Sequence, residues 1–157
     1  MKNILVLGLG KVGSLVGTLL SKKFNVCGLD QNKPHYNYKL PFNVIQNDVG
    51  NLKTMKSILK DYDAVVSALP FFLNKNIAKL AHDLNLHYFD LTEDVETTKY
   101  IKKLSKTGQK IMAPQCGLAP GLIGIIGNDL AMQFNELRDI ELRVGALPRY
   151  PNGQLAY

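Results

Sequence analysis

Several things are scarce in these 157 residues. There are two cysteines, Cys27 and Cys116, and they form no CxxC pair and no other metal-ligand spacing. That excludes a disulfide framework and a cysteine-held metal, and it implies reduced thiols in a cytoplasmic protein. No apolar stretch approaches the roughly 20 residues that a membrane-spanning helix needs. Met1-Lys2-Asn3 leads at once into a strand-like run, too short and too quickly interrupted for a signal peptide. The formal charge is +6, yet the basic runs are no longer than Lys22-Lys23 and Lys102-Lys103. Nucleic-acid binding calls for a basic stripe on a recognisable module, and neither is visible. The charge reads as solvated lysines that exert a mild pull on anionic ligands.

What is present is an ordinary globular composition, 46% apolar and 20% charged. A chain of this length buries about 68–70% of its unfolded surface and needs no staples. Asn3–Leu7 is a short branched apolar run and predicts a buried strand. Val12, Leu15, Val16, Leu19 and Leu20 then recur at helical spacing, which predicts a helix over Lys11–Lys22. Strands follow at Asn25–Leu29 and Asn43–Gln46, separated by an Asn-rich loop bounded by Pro34 and Pro41. Leu52, Met55, Ile58 and Leu59 predict a helix capped by Asn51.

Asp63–Ser67 predicts a fourth strand, and Ile77, Leu80, Ala81 and Leu84 an amphipathic helix. A fifth strand over His87–Leu91, a helix over Val95–Lys106 capped by Asp94, a sixth strand over Gln109–Pro114 and a helix over Leu122–Phe134 complete the series. Ile140–Gly145 alternates in part and predicts a further strand. Strands alternating with helices imply an α/β fold, a doubly wound parallel sheet covered on both faces.

Gly8-Leu9-Gly10-Lys11-Val12-Gly13 reads GxGxxG. The pattern alone is weak and fits a plain glycine-rich turn. Its context is specific: it follows a strand, opens a helix, and Asp30 ends the next strand 22 residues after Gly8. Gly8 would permit the tight turn, Gly10 the approach of a pyrophosphate, and Gly13 close packing of helix on sheet. The first-turn N–H groups of the helix would face the anion. Asp30 would accept hydrogen bonds from the adenosine ribose and repel a 2′-phosphate, which favours NAD over NADP. No arginine is near it, though Lys33 is close enough in sequence to soften that preference. Asp48 follows the third strand, either near the adenine or simply starting a turn before Gly50. Ala68-Leu69-Pro70 leaves the fourth strand with small residues that give the nicotinamide ribose room, or forms an ordinary loop.

Among groups that could do chemistry, Asp90 ends the fifth strand and could orient an ammonium or move a proton, or merely hold a turn. Glu93 and Asp94 suit the first turn of a helix. Cys116 shows no sign of a lowered pKa and suits a packing or substrate-contacting role. Gly117, Pro120 and Gly121 would shape the turn into the next helix, whose N-terminus could attract a substrate carboxylate. His35, His82 and His87 read as structural or exposed, and no metal site is expected.

Four segments resemble the saccharopine dehydrogenase family, and within it the lysine 6-dehydrogenase type: "VLGLGKVG", "DAVVSALPFFLNKNIAKLA", "YFDLTED", and "CGLAPGLIGIIGNDL" with the later "VGALPRYPNGQLAY". The resemblance covers essentially the whole chain and implies a Rossmann domain over 1–117. The incomplete start of a second, α+β substrate and dimerisation domain would occupy 118–157. It implies an NAD(P)-dependent oxidoreductase acting on the C–N bond of an amino acid, homodimeric at full length. Gly8, Gly10, Lys11, Val12, Gly13 and Asp30 would then hold the dinucleotide. Asp48 and Val49 would sit at the adenine, Ala68, Leu69 and Pro70 near the nicotinamide, and Asp90 and Cys116 at the nicotinamide and substrate. Ala119 stands where the family's saccharopine reductases tend to carry Asp. A chain of this length would be mainly the cofactor-binding portion and could be inactive alone. The alternative is a dinucleotide-sensing regulatory module of the kind that gates potassium transport.

Overall fold

The computed structural model describes residues 1–32 and 39–145. Lys33, His35 and the tail from Ala146 onward, to which expectations were attached above, lie outside these. Among the described residues the chain runs β1 (Asn3–Leu7), α1 (Lys11–Leu20), β2 (Asn25–Asp30), β3 (Asn43–Gln46), α2 (Leu52–Leu59), β4 (Ala64–Ser67), α3 (Phe71–Asp83), β5 (His87–Asp90), α4 (Val95–Ser105), β6 (Met112–Ala113) and α5 (Leu122–Ala131). The strands form one sheet in the order β3-β2-β1-β4-β5-β6, with every pairing parallel. The chain winds outward from β1 to β3, then crosses back and winds the other way from β4. The direction reverses between β1 and β4, which opens a crevice at the strand C-termini.

β1 is apolar on both faces because helices or loops cover both. On one side Leu5, Leu7, Leu29, Val65 and Tyr88 pack against Met55 and Leu59 of α2, Ile77 and Ala81 of α3, and Ile101 of α4. On the other side Ile4, Val6, Leu9 and Ala64 form a smaller core with Leu20, Phe24 and Phe42 packed around it. Both expected caps are made: the Asn51 side chain accepts the Thr54 N–H at 3.2 Å, and the Asp94 carboxylate accepts the Thr97 N–H at 2.7 Å. Each relieves an orphan donor of a first turn.

Two expectations need correction. α5 ends at Ala131 rather than Phe134, and Ile140–Gly145 is exposed and irregular rather than a strand. No described strand pairs with that segment, so an extended ladder there would have nothing to bond to. The helix at α1 forms as expected, but three of its five large apolar residues do not face the sheet. Val12, Leu15 and Leu19 are 54%, 59% and 54% exposed, while Gly13, Ser14 and Gly17 are buried. The reason is distance. A Cβ at Gly13 would lie 1.8 Å from the Gly8 carbonyl oxygen, so this face of α1 meets the sheet backbone to backbone and only small residues fit.

Gly13→Ala should therefore lift α1 off β1. Overpacking of this kind costs about 1–3 kcal/mol, a fall in Tm of roughly 3–10 °C for a chain of this size, measurable by thermal unfolding without ligand. A second expectation concerns acid. The Asp63 carboxylate accepts the Lys2 and Asn3 backbone N–H groups at 2.6 and 2.9 Å, tying the start of β1 to that of β4. Those hydrogen bonds, Asn3 first and then Lys2, hold its pKa below the usual value. The folded pKa lies under the unfolded value of about 3.9, so this contribution is present above about pH 4 and is lost as pH falls through the folded value. Unfolding followed from pH 5 down to about pH 2.5 should show a shallower loss of Tm in Asp63→Asn than in the parent chain.

Candidate functional site

The crevice begins where β1 ends. Gly8 takes φ +82°, a left-handed conformation suited to glycine, and a Cβ there would also strike the Ala68 carbonyl oxygen at 2.9 Å. Its N–H donates to the Leu29 carbonyl at 2.9 Å, which carries the ladder one residue past the strand. Gly10 caps α1 in an extended conformation, and no side chain caps the helix. A Cβ built on Gly10 meets nothing within 4 Å. The first turn of α1 thus opens on free space, the arrangement that receives an anion. The Ser14 hydroxyl donates to the Leu9 carbonyl at 3.1 Å and fastens helix to loop.

Asp30 stands at the C-terminus of β2. One carboxylate oxygen accepts the Leu9 N–H at 2.7 Å and the other the Asn32 N–H at 2.9 Å. The acid therefore braces the glycine loop while it lines the crevice. Asp48 accepts the Gly50 N–H at 2.8 Å, which is the turn role weighed above, and it too faces the crevice.

The expected residues largely converge. Gly8, Gly10, Asp30, Asp48 and Val49 line one cleft of about 480 Å³ together with Ala68, Leu69 and Pro70. Lys11 and Val12 are exposed on the first turn of α1, and Gly13 is buried beneath the loop, so these three border the cleft without lining it. Sequence reasoning missed Gln31, Phe72 and Leu73, which also line it. Gln31 directly follows Asp30, and Phe72 and Leu73 stand two and three residues past Pro70; that nearness was the available signal.

Asp90 and Cys116 sit elsewhere. Asp90 is fully buried. Its carboxylate accepts the Tyr88 hydroxyl at 2.8 Å, the Thr92 N–H at 3.0 Å and the Gln115 N–H at 3.3 Å. Its carbonyl accepts the Cys116 N–H at 2.7 Å. Burial, and next the Asp90 charge, push the Tyr88 phenol pKa upward. Nearby, the buried Ser67 hydroxyl donates to the Asn74 side-chain oxygen at 2.7 Å, joining β4 to α3. The Cys116 thiol is exposed and donates to the Ala113 carbonyl at 3.4 Å. Partial desolvation by the surrounding protein and, next, the Asp90 charge raise its pKa, so this partly exposed thiol stays protonated at neutral pH. His87 accepts the Ile111 N–H at its Nδ1, and burial lowers its pKa, which fits a neutral structural ring. The turn before α5 forms as expected, with the Leu122 N–H donating to the Gly117 carbonyl at 2.9 Å. Among the described residues no group of three His, Cys, Asp or Glu side chains is placed to hold a metal, and no helix is long and apolar enough to cross a membrane.

Comparison with solved structures finds the same fold. Saccharopine dehydrogenase (L-Glu forming) of Saccharomyces cerevisiae is 22% identical with a TM-score of 0.66, over 84% of this chain and 31% of that one. The scyllo-inositol dehydrogenase of Lactobacillus casei is 15% identical with a TM-score of 0.57, over 73% and 36%. UDP-glucose 4-epimerase of Thermotoga maritima is 12% identical with a TM-score of 0.55, over 69% and 52%. The chain thus spans about a third of the length of the first two and about half of the third. Residues 4–115 match the family described as the saccharopine dehydrogenase NADP binding domain, a domain that takes a nicotinamide dinucleotide. The matched segment runs from β1 through the end of β6 and includes the whole cleft. The chain belongs to the saccharopine dehydrogenase NADP-binding domain family.

Proposed function

We propose that this chain is the cofactor-binding part of an NAD(P)-dependent oxidoreductase that acts on the C–N bond of an amino acid. The observation that carries the reading is the open space over Gly10 at the uncapped start of α1, inside the cleft that gathers the predicted residues. Gly8 and Gly10 bring backbone to the pyrophosphate, with the first-turn N–H groups of Lys11, Val12 and Gly13 facing it. Asp30 meets the adenosine ribose, and its charge opposes a 2′-phosphate, so NAD is preferred although the family takes its description from NADP. Asp48 and Val49 border the adenine. Ala68, Leu69 and Pro70 lie towards the nicotinamide ribose.

When bound, the nicotinamide supplies the hydride chemistry, and the protein supplies orientation and a proton path. The buried carboxylate of Asp90 holds the Gln115–Cys116 turn beside the strand ends and so acts as a positioning residue. Cys116 presents a neutral thiol there as a substrate contact. On this reading 1–117 is the dinucleotide domain and 118–157 the beginning of a substrate and dimerisation domain, with a homodimer as the working form.

Thermal unfolding with NAD⁺ and with NADP⁺ tests the cofactor assignment. A ligand that binds only the native state at 100 times its Kd adds about 2.7 kcal/mol, a rise in Tm of roughly 5–10 °C. NAD⁺ should give that rise and NADP⁺ a smaller one. Gly10→Ala should keep the ligand-free Tm, because its Cβ meets nothing, and should lose most of the NAD⁺ shift. No shift with either dinucleotide in the parent chain would overturn the assignment. The substrate class is tested separately, by NADH formation when the full-length form, with its substrate domain complete, is supplied with NAD⁺ and L-lysine or saccharopine. Turnover of neither by a full-length form that binds NAD⁺ would remove the amino-acid reading and leave the cofactor reading standing.

A further inference from the structure

The cleft is built from one side of the sheet. Among the described residues its lining comes from the ends of β1, β2, β3 and β4, the loops after them and the first turn of α3, and none of it follows β5 or β6. A dinucleotide lies across the strand C-termini with its pyrophosphate at the glycine loop. Asp30, Asp48 and Val49 mark the adenosine side of this cavity, and Ala68, Leu69 and Pro70 its edge towards the nicotinamide ribose. Phe72 belongs to that same cavity and is 65% exposed. Its ring stands edge-on to Phe71, with centroids 5.9 Å apart and planes at 81°, an orientation aromatic pairs favour. An exposed apolar ring thus lines the cleft that the strand-end acids share. Stacking suits such a ring because every base offers a π-face.

We infer that Phe72 is the stacking platform for the adenine of the dinucleotide, with Val49 closing the same pocket from the loop after β3. The inference rests on the dinucleotide reading of the cleft, and the two fail in different ways. Titration calorimetry with NAD⁺, ADP-ribose and nicotinamide mononucleotide separates them. Phe72→Ala should weaken NAD⁺ and ADP-ribose by the same factor, about tenfold, and leave the mononucleotide unchanged. Phe72→Tyr should stay within about twofold of the parent chain, since it keeps the ring. The sequence contains no tryptophan, so Phe72→Trp installs a single indole. Its fluorescence should be quenched by ADP-ribose and left alone by the mononucleotide. Equal affinities in the parent chain and Phe72→Ala would overturn the inference while the cofactor reading stands. Loss of NAD⁺ affinity with ADP-ribose unaffected would put the ring at the nicotinamide and overturn it as well. A parent chain that binds neither NAD⁺ nor ADP-ribose would defeat the cofactor reading and this inference with it.

Discussion

The low seat of α1 against the end of β1 governs the ligand side of this molecule. With no side chain at Gly13, the helix comes close enough for its backbone to meet the Gly8 carbonyl. That closeness brings the uncapped first turn of α1 level with the strand ends and lets the Ser14 hydroxyl reach the Leu9 carbonyl. It also lets Asp30, from the neighbouring strand, hold the Leu9 N–H. A helix raised by a single methyl group would move the donors away from the crevice and strain the hydrogen bonds that shape the loop. The same seat explains the outward stripe of Val12, Leu15 and Leu19. A helix that spends its small residues on the sheet leaves Val12, Leu15 and Leu19 for the far side, and only Leu20 at its end reaches the core.

Strand-end acids show how burial divides labour among chemically identical groups. Asp30, Asp48 and Asp90 all stand at or just past the C-terminal end of a strand. The first two face the cleft and each still braces a local turn. Asp90 is sealed in, and burying a carboxyl is costly unless donors surround it. The Tyr88 hydroxyl and the Thr92 and Gln115 N–H groups supply them. Removing one donor would leave the others unable to satisfy the group, so the network fixes where the chain leaves β5 and where it returns after β6. The acid with the most hydrogen bonds is therefore the one that shapes the scaffold.

The strand and helix order was legible in the sequence because each element carries its own period and most carry their own punctuation. Asn51 and Asp94 announced their helices and do cap them. The glycine loop was legible from its context, and eight of the residues predicted at the cofactor do line one cleft. What was not legible depends on distances between elements. Nothing in the spacing of Val12, Leu15 and Leu19 says that Gly13 and Gly17 will take the sheet-facing side, because the usual rule places large apolar residues inward. Ile140–Gly145 alternates like a strand, but a strand exists only beside a partner, and alternation does not supply one. Phe72 and Leu73 carry no motif of their own, and only the position of α3 brings its first turn to the cleft. The burial of Asp90 was likewise hidden, since the Gln115 donor lies far along the chain from it.

The cleft's charge runs against that of the chain. The protein carries a formal +6, yet among the described residues the lining includes two acids, Asp30 and Asp48, and no lysine or arginine. A site meant to hold an anion with side-chain cations would be expected to place them inside. Here the pyrophosphate is left to oriented backbone: the first-turn N–H groups of α1 and the dipole behind them, which act over about one turn. Such donors discriminate by position. They favour an anion above Gly10, where there is room, and do nothing for one near Asp30, where a carboxylate already stands. On the proposed reading a ribose bearing two hydroxyls would sit beside that carboxylate, and a ribose bearing a phosphate would bring a second negative charge with no cation among the described lining residues to meet it. The NAD preference proposed above would thus follow from what the described lining omits as much as from the acid it contains.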